Sequence, residues 1–292
     1  MLPENYRNKV FRQDVMEVLR ALPGNSLDMI YGDPDYNVGV KYAGQSYTKK
    51  WDAYIAWYGA LATECMRVLK PDGNAFFINY PKQNAYLRVQ HLDRLAQMSG
   101  GDVRDYVWVY NSNVGHSPRR FTTAHRSILH ATKSRHNRFY KSQVAQPYKN
   151  PDDRRIRERI ANGHKGRMPY SWLQYQLVKN VSRDKTFHAC QIPLRLVRLL
   201  MNASTRKGDS IFILFGGSGS EICLAQKLER QFLSCEINRR YYDMICDRLR
   251  HRGHVQEKYR LASSRKRPAS EPRIFDSGAQ AQRETWHPFA SP

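Results

Sequence analysis

The chain has 292 residues, enough for one sizeable core with an insertion or a small second domain. Its 48 lysines and arginines outnumber its 26 aspartates and glutamates, which gives a formal net charge of +22. An excess of this size indicates a polyanionic partner.

The sequence contains no apolar run of membrane length and no signal-peptide region, and its five cysteines have no paired spacing. We therefore expect a cytoplasmic protein without a membrane partner or a disulfide framework.

The first elements are a short strand at residues 10–12 and a helix at 15–22, which Pro23 and Gly24 end. Asp14 stands between them, where an acid caps a helix. The same residue is a candidate cofactor contact, and the sequence leaves the two roles open.

Residues 27–37, Leu-Asp-Met-Ile-Tyr-Gly-Asp-Pro-Asp-Tyr-Asn, predict a buried strand that ends at a glycine and an Asp-Pro step. Asp33, Pro34, Asp35 and Tyr36 then lie at its carboxyl edge, where open parallel sheets bind ligands. The segment resembles the D-P-P-Y motif of the DNA amino-methyltransferases, which methylate the exocyclic amine of adenine or, less often with this aspartate, of cytosine. A plain turn is the competing interpretation, so the motif needs support from the rest of the chain.

These residue types suit the methylation of an aromatic amine, whose lone pair is delocalised into the ring. The Asp33 carboxylate can accept one amine N–H, and the Pro34 carbonyl, with φ fixed by the ring, can accept the other. Tyr36 offers a face on which an extruded base can stack. Attack on the methyl of a sulfonium then requires mainly positioning. We therefore predict Asp33, Pro34, Asp35 and Tyr36 as the catalytic residues.

Asp35 stands where the resembling motif has a second proline, and it allows two interpretations. If it points into the pocket, it should raise the pKa of the neighbouring carboxylate. If it points to a basic side chain of the inserted region, it is a structural brace. We favour the brace, because the chain offers many cationic partners.

A glycine-rich, aromatic loop at residues 38–52 is suited to close over a base. It is followed by a predicted amphipathic helix at 54–69 and by strands at 74–80 and 106–110. Basic and aromatic residues then alternate through an inserted target-recognition region at 101–185, as expected of a surface that meets phosphates and unstacked bases. A solvated charged face is the alternative. The predicted DNA contacts are Arg119, Arg120, Arg135, Arg138, Arg154, Arg155, Arg157, Lys165 and Arg167.

Residues 185–200 contain His188, Cys190 and Gln191 ahead of a helix that Pro193 opens. A zinc site fails on spacing and lacks a second ligand pair, so no metal is predicted. The segment resembles the H-P-x-x-K-P stretch before the cofactor strand of the same enzymes. That resemblance implies that these three residues line the pocket for the methionine end of the cofactor.

Residues 207–242 predict a strand, a glycine-rich turn, a helix, a second strand and an acid at its end, which is a nucleoside-binding unit. The unit resembles the D-P-F-x-G-S-G-T turn and later E-x-x-x-x-Y of enzymes that use S-adenosylmethionine, although Ile213 and Leu214 replace the Asp and Pro. The matching residues, predicted to bind the cofactor, are Phe215, Gly217, Ser218, Gly219 and Glu236.

With the catalytic turn first and the cofactor turn last, the chain resembles the permuted beta class of DNA amino-methyltransferases. This resemblance implies a Rossmann-like α/β fold with a mostly parallel seven-stranded sheet, in a domain at residues 1–250. It also implies methylation of adenine in double-stranded DNA with base flipping, and it leaves a homodimer open. Cytosine methylation, RNA methylation and a catalytically inactive DNA-binding relative remain alternatives. Residues 251–292 predict a disordered basic tail.

Overall fold

The computed structural model describes residues 1–111, 118–182 and 184–261, and the protein is built on one large β-sheet. The described residues form ten strands: β1 (Lys9–Phe11), β2 (Leu27–Gly32), β3 (Lys41–Tyr42), β4 (Gln45–Ser46), β5 (Leu69–Asn79), β6 (Val103–Val109), β7 (His125–Thr132), β8 (Trp172–Gln174), β9 (Ser210–Ile213) and β10 (Gln231–Cys235). Strands β3 and β4 pair with each other as a separate hairpin.

The other eight strands lie in the order β1-β10-β9-β2-β5-β7-β6-β8. The first five strands run parallel to one another. Strand β7 is antiparallel to both β5 and β6, and β8 is parallel to β6. The mostly parallel sheet is therefore confirmed, with eight strands rather than seven. Within the predicted inserted region at residues 101–185, β6, β7 and β8 all belong to this sheet.

Helices cover both faces of the sheet. The described residues form nine: α1 (Val15–Ala21), α2 (Trp51–Val68), α3 (Pro81–Leu87), α4 (Asp93–Met98), α5 (Lys141–Val144), α6 (Arg154–Ala161), α7 (Leu194–Ser204), α8 (Ser220–Lys227) and α9 (Arg239–Arg250). Apolar residues of α1 and α2 pack against one face, and apolar residues of α7 and α8 pack against the other. With both faces buried, the strand ends are where the sheet can meet a ligand. In the described part of the chain, no helix is long and apolar enough to cross a membrane.

At the amino ends of the central strands lies a cluster of ion pairs around Arg138. Its guanidinium contacts Asp72 at 2.9 Å, Asp209 at 3.3 Å and the buried carboxylate of Asp28, which Lys70 also contacts at 2.7 Å. The prediction that Arg138 contacts DNA is therefore wrong, because its charge is used within the fold. Arg135 is exposed in the same turn after β7, at the sheet edge opposite the catalytic turn.

The chain remains ordered past residue 250. Thr186 and Arg260 form an antiparallel bridge, Phe187 N donates to Tyr259 O at 2.9 Å, and Val255 is buried. The predicted disorder is therefore wrong for residues 251–261, which close over the segment that carries His188. Residues 262–292 of the predicted tail lie outside the described residues.

Candidate active site

A cavity of about 440 Å³ opens at the carboxyl ends of β2, β9 and β10. Parallel neighbours end at the same edge of a sheet, so the turns that follow these strands meet there. The predicted site residues that line the cavity are Asp14, Asp33, Pro34, Asp35, Tyr36, His188, Cys190, Phe215, Gly217, Ser218 and Glu236. Segments more than two hundred residues apart in the chain are thus brought into one site.

Two predicted cofactor contacts do not line this cavity. The Gln191 carboxamide oxygen accepts a hydrogen bond from Thr186 N at 2.8 Å, so its side chain orders the segment before α7. Gly219 caps α8 with a left-handed backbone at φ +76°, where an added Cβ would lie 3.0 Å from Ile245. Both residues therefore support the structure around the glycine-rich turn without lining the cavity.

The predicted catalytic turn, residues 33–36, is held in place by neighbouring elements. Tyr36 OH donates to Asp33 Oδ1 at 2.5 Å, and Gln83 of α3 donates to the Tyr36 carbonyl at 2.7 Å. Tyr54 OH of α2 donates to the Asp35 carbonyl at 2.9 Å and accepts from Asn79 at 2.8 Å. A turn fixed in this way is preorganised for positioning a substrate.

Asp33 sits in a low-dielectric environment. Burial raises its pKa to about 7, although the Tyr36 hydrogen bond and the positive charge of Arg126 oppose the rise. The carboxylate therefore titrates near neutral pH, which is where a proton acceptor works best. No described residue donates a hydrogen bond to the Pro34 carbonyl, so this oxygen is available as the second acceptor.

Arg126, one of the basic residues of the region at 101–185, lies beside the turn that carries Asp33 and Tyr36, a position that the sequence did not predict. Its guanidinium lies 3.8 Å from the ring centre of Tyr80 and 5.4 Å from that of Tyr36. It also donates to the Tyr80 and Tyr110 hydroxyls, the former at 3.0 Å. Arg126 belongs to β7, whose amino end lies at the carboxyl edge because this strand runs antiparallel to β5.

The expected basic brace for Asp35 is wrong. Its Oδ1 accepts from Asn37 N at 2.6 Å, and its Oδ2 is buried and has no hydrogen-bond partner among the described residues. Burial raises its pKa. The raised pKa of Asp33 also has its cause in burial rather than in a second carboxylate. Asp35 lines the cavity and orders its own turn.

Glu236 is fixed by the glycine-rich turn. Gly217 N donates to one carboxylate oxygen and Asn238 N to the other, each at 2.8 Å. A carboxylate accepts about four hydrogen bonds, so the remaining positions can receive ribose hydroxyls. Gly217 itself has φ +51°, and a Cβ there would lie 3.1 Å from His188 Nε2. The glycine thus allows close backbone approach at this turn.

His188 packs between aromatic residues on the cofactor side. Its ring centre lies 4.7 Å from that of Tyr241 and 5.4 Å from that of Tyr42 in the β3–β4 hairpin. Burial lowers its pKa to about 4, so the ring is neutral at physiological pH. Asn238 also donates to Gln45 of the hairpin at 3.1 Å. The hairpin within the loop at 38–52 therefore contacts His188 and the residue that caps α9, Asn238.

The predicted DNA contacts lie in three places. Arg119 and Arg120 are exposed in the connection from β6 to β7, at the carboxyl edge. Helix α6 presents Arg154, Arg155 and Arg157, all exposed. Arg167, which is half-buried, lies 4.7 Å from the ring centre of Tyr170, which in turn stacks on Trp172, and Lys165 is exposed nearby in sequence. None of these residues lines the cavity.

The fold is that of the Rossmann-like DNA methyltransferases. The cytosine-N4-specific PvuII DNA methyltransferase superimposes with a TM-score of 0.62 at 16% sequence identity, over 82% of this chain and 85% of that chain. A putative DNA modification methylase from Thermus thermophilus, solved with S-adenosyl-L-methionine, gives 0.58 at 17% identity, over 84% and 93%.

Residues 27–247 match the DNA methylase family N6_N4_Mtase, and the chain belongs to this family. It is 24% identical over 251 residues to the type II methyltransferase M.BglII from Bacillus subtilis, covering 83% of this chain and 69% of that protein. It is 25% identical over 251 residues to the DNA adenine methyltransferase YhdJ from Escherichia coli (strain K12), covering 84% and 83%. The protein is a DNA methyltransferase, and its cofactor is S-adenosylmethionine.

The cavity fits this cofactor in size and charge. Its volume of about 440 Å³ lies within the range of small-molecule sites. S-adenosylmethionine carries positive charge on its sulfonium and ammonium groups, and among the described lining residues five are carboxylates: Asp14, Asp33, Asp35, Glu221 and Glu236. The glycine-rich turn and Glu236, which the sequence predicts to bind the nucleoside, line the same cavity.

Proposed function

We propose that the protein transfers a methyl group to the exocyclic N6 amine of adenine in double-stranded DNA. The observation that carries this proposal is the acceptor pair formed by the Asp33 carboxylate and the Pro34 carbonyl, in the same cavity as the glycine-rich turn. An aspartate at the first position of the catalytic motif favours adenine over cytosine, on the resemblance to the D-P-P-Y enzymes.

Bound S-adenosylmethionine supplies an electrophilic methyl group on its sulfonium. Asp33 Oδ1 already accepts from Tyr36 OH, so Oδ2 is the oxygen that accepts one N–H of the adenine amine. The Pro34 carbonyl accepts the other N–H, and both bonds orient the nitrogen lone pair toward the methyl group. The amine must lose a proton after alkylation, and the Asp33 carboxylate, with a pKa of about 7, receives it.

The acceptors lie inside a cavity, so a base stacked in a duplex cannot reach them. The target adenine must therefore leave the helix, as in other enzymes that act on a base. The Tyr36 ring is fixed from behind by an edge-to-face contact with Tyr80, at 5.3 Å between ring centres. Its side toward the cavity is the surface on which the extruded base stacks.

A second candidate is methylation of cytosine at N4, because the cytosine-N4-specific PvuII enzyme has the same fold and the acceptor pair suits either amine. The two candidates differ in product. Expression in a host without endogenous DNA methylation, followed by mass spectrometry of digested nucleosides, should reveal N6-methyladenine. N4-methylcytosine would overturn the adenine assignment. Neither product, with cofactor binding retained, would identify an inactive DNA-binding relative. The Asp33→Ala protein in the same host is the matched control.

We further propose that the exposed arginines of α6 contact DNA phosphates. Asp153 caps this helix through the amides of Arg155 and Ile156, and the helix has no buried residue, so its side chains are not needed for the core. Replacing Arg154, Arg155 and Arg157 together by Gln should reduce the slope of log Kd against log salt by about 2 to 3. The control is Arg135→Gln at the opposite sheet edge, for which the slope should stay unchanged. An unchanged slope for the triple variant would contradict the α6 interface.

A further inference from the structure

Two buried polar side chains in the cavity have no partner that accounts for them. Tyr31 is 1% exposed, and its hydroxyl forms no hydrogen bond with any described residue. Glu221, in the first turn of α8, is 7% exposed, and its carboxylate accepts no hydrogen bond from the side chain of another described residue. The Glu221 carboxylate receives a hydrogen bond from its own backbone amide, which leaves most of its lone pairs unpaired, and the Tyr31 hydroxyl has no described partner. Burying such groups is costly unless a ligand satisfies them.

The two groups lie beside a substitution in the cofactor motif. Tyr31 of β2 is directly opposite Ile213 of β9 in the sheet register. Ile213 stands where the resembling cofactor motif has its aspartate. Glu221 follows the same glycine-rich turn and lines the cavity with Tyr31. The chain thus lacks an acid at the end of β9 and carries one at the start of α8.

Each of the other carboxylates that line the cavity accepts a hydrogen bond from another residue. Asp33 is bound by the Tyr36 hydroxyl, and Glu236 is fixed by two backbone amides. Asp14 caps α1, and Asp35 accepts an amide within its own turn. Asp35 Oδ2 also has no described partner, but Asp35 belongs to the turn after β2 that is proposed to hold the base. Glu221 is the lining carboxylate beside the glycine-rich turn that accepts no hydrogen bond from the side chain of another described residue.

We propose that Glu221 binds the ammonium group at the methionine end of S-adenosylmethionine, with the Tyr31 hydroxyl as the second polar partner of that end. This assignment rests on the proposed placement of the cofactor, with its ribose at Glu236. The carboxylate and the ammonium then neutralise each other in a site from which water is largely excluded. A charge-assisted hydrogen bond of this kind has the strength to orient the methionine end and therefore the sulfonium.

The electrostatics of Glu221 are consistent with this role. Burial raises its pKa to about 7, with the charge of Asp33 adding to the rise and that of Arg248 opposing it. Arg248 does not neutralise Glu221 directly, because its guanidinium donates to Ser218 O and to Ser220 Oγ, the latter at 3.0 Å. Glu221 therefore feels the charge of Arg248 but forms no direct ion pair with it.

The test is calorimetric binding without DNA, so it does not depend on which base is methylated. Three ligands are compared: S-adenosylhomocysteine, its analogue lacking the amino group, and 5′-methylthioadenosine, which lacks the whole methionine end. The parent protein should bind S-adenosylhomocysteine about tenfold to hundredfold more tightly than the deaminated analogue. Glu221→Gln should bind these two ligands almost equally, while its affinity for 5′-methylthioadenosine matches that of the parent.

Two further variants complete the design. Glu236→Gln, the matched control, should weaken all three ligands because each contains the ribose. Tyr31→Phe should lose up to about tenfold for S-adenosylhomocysteine and nothing for 5′-methylthioadenosine. The proposal is overturned if Glu221→Gln keeps the parent's preference for the amino group. It is also overturned if the parent protein binds S-adenosylhomocysteine no more tightly than the deaminated analogue. This second outcome does not depend on whether any variant folds. Unchanged binding of all three ligands by Glu236→Gln would instead contradict the placement of the cofactor.

Discussion

The two ends of β2 carry aspartates in opposite environments. Asp28 near the amino end is surrounded by donors: Lys70 at 2.7 Å, Ser210 N at 2.8 Å and the Arg138 guanidinium. Burial would raise the pKa of Asp28, but these donors outweigh burial and lower it. Asp33, just past the carboxyl end, has one hydroxyl donor, and burial raises its pKa to about 7.

Under the proposed function, one strand serves stability at one end and chemistry at the other. At the amino edge, each buried negative charge is balanced within the protein. At the carboxyl edge, burial raises the pKa of Asp33 and of Glu221, and neither has an ion-pair partner among the described residues. This costs stability but leaves lone pairs available to ligands. Arg126 is the cation beside the catalytic turn, and its guanidinium lies against tyrosine rings rather than on a carboxylate.

The largest effect is expected at the carboxyl end of β2. Asp33→Asn should reduce the rate of methyl transfer by at least two orders of magnitude, because it removes a proton acceptor that acts in the transition state. The affinity for S-adenosylmethionine should stay within about twofold. Single-turnover assays with labelled cofactor, alongside calorimetry, measure both quantities. Activity within tenfold of the parent would contradict the catalytic role.

The same variant should also make the ligand-free protein more stable. A raised pKa in the folded state means that stability is present at low pH and is lost as the pH rises toward 7. Asp33→Asn removes this loss, so its melting temperature should exceed that of the parent by on the order of 5 °C at pH 8. The gain should vanish near pH 3, below the ordinary aspartate pKa of 3.8, where the carboxyl is protonated in the folded and the unfolded state. An equal gain at both pH values would show that the effect is not electrostatic.

At the amino end, the opposite result is expected. Arg138→Met should lower the free energy of unfolding by about 3 kcal/mol, because it leaves Asp28 buried with fewer donors. Since the pKa of Asp28 is lowered in the folded state, this contribution is present above pH 4 and is lost as the pH falls below it. Urea titrations at pH 7 and pH 3.5 measure the difference. Arg135→Gln, exposed in the same turn, is the control and should change stability by less than about 0.5 kcal/mol.

The sequence was informative where local pattern and chemistry coincide. The strand before Asp33 and the glycine-rich turn at Gly217 follow from apolar runs that end at special backbone positions, and both were placed correctly. Strand β7 was missed because its charged first residues, His125 and Arg126, resemble a solvated surface. The role of Arg138 could not be predicted, since its partners Asp28 and Asp209 are brought to it by tertiary structure alone.

The C-terminal segment offers a further test of the cofactor side of the site. Truncation after residue 255 removes the bridge between Thr186 and Arg260 and the contact of Tyr259 with Phe187. These contacts hold the segment that carries His188 against the glycine-rich turn, so the affinity for S-adenosylmethionine should fall about tenfold. Truncation after residue 261 retains them and should leave the affinity unchanged. Equal affinities for the two truncated proteins would contradict a role for residues 256–261.

The smallest effect is expected for the charge of Arg126. This charge lowers the pKa of Asp33, so Arg126→Gln should move the acidic limb of the pH–rate profile to higher pH. The variant should be a few-fold slower than the parent at pH 7 and nearly equal to it at pH 9, where Asp33 is ionised in both.

Arg126→Lys keeps the positive charge and should keep the limb in place, even though it loses the stacking on Tyr80. A uniform loss at every pH in both variants would mean that Arg126 acts by packing the tyrosines rather than by its charge. A shift confined to Arg126→Gln would show that the carboxyl edge, unlike the amino edge, uses its cation to tune an acid without pairing with it.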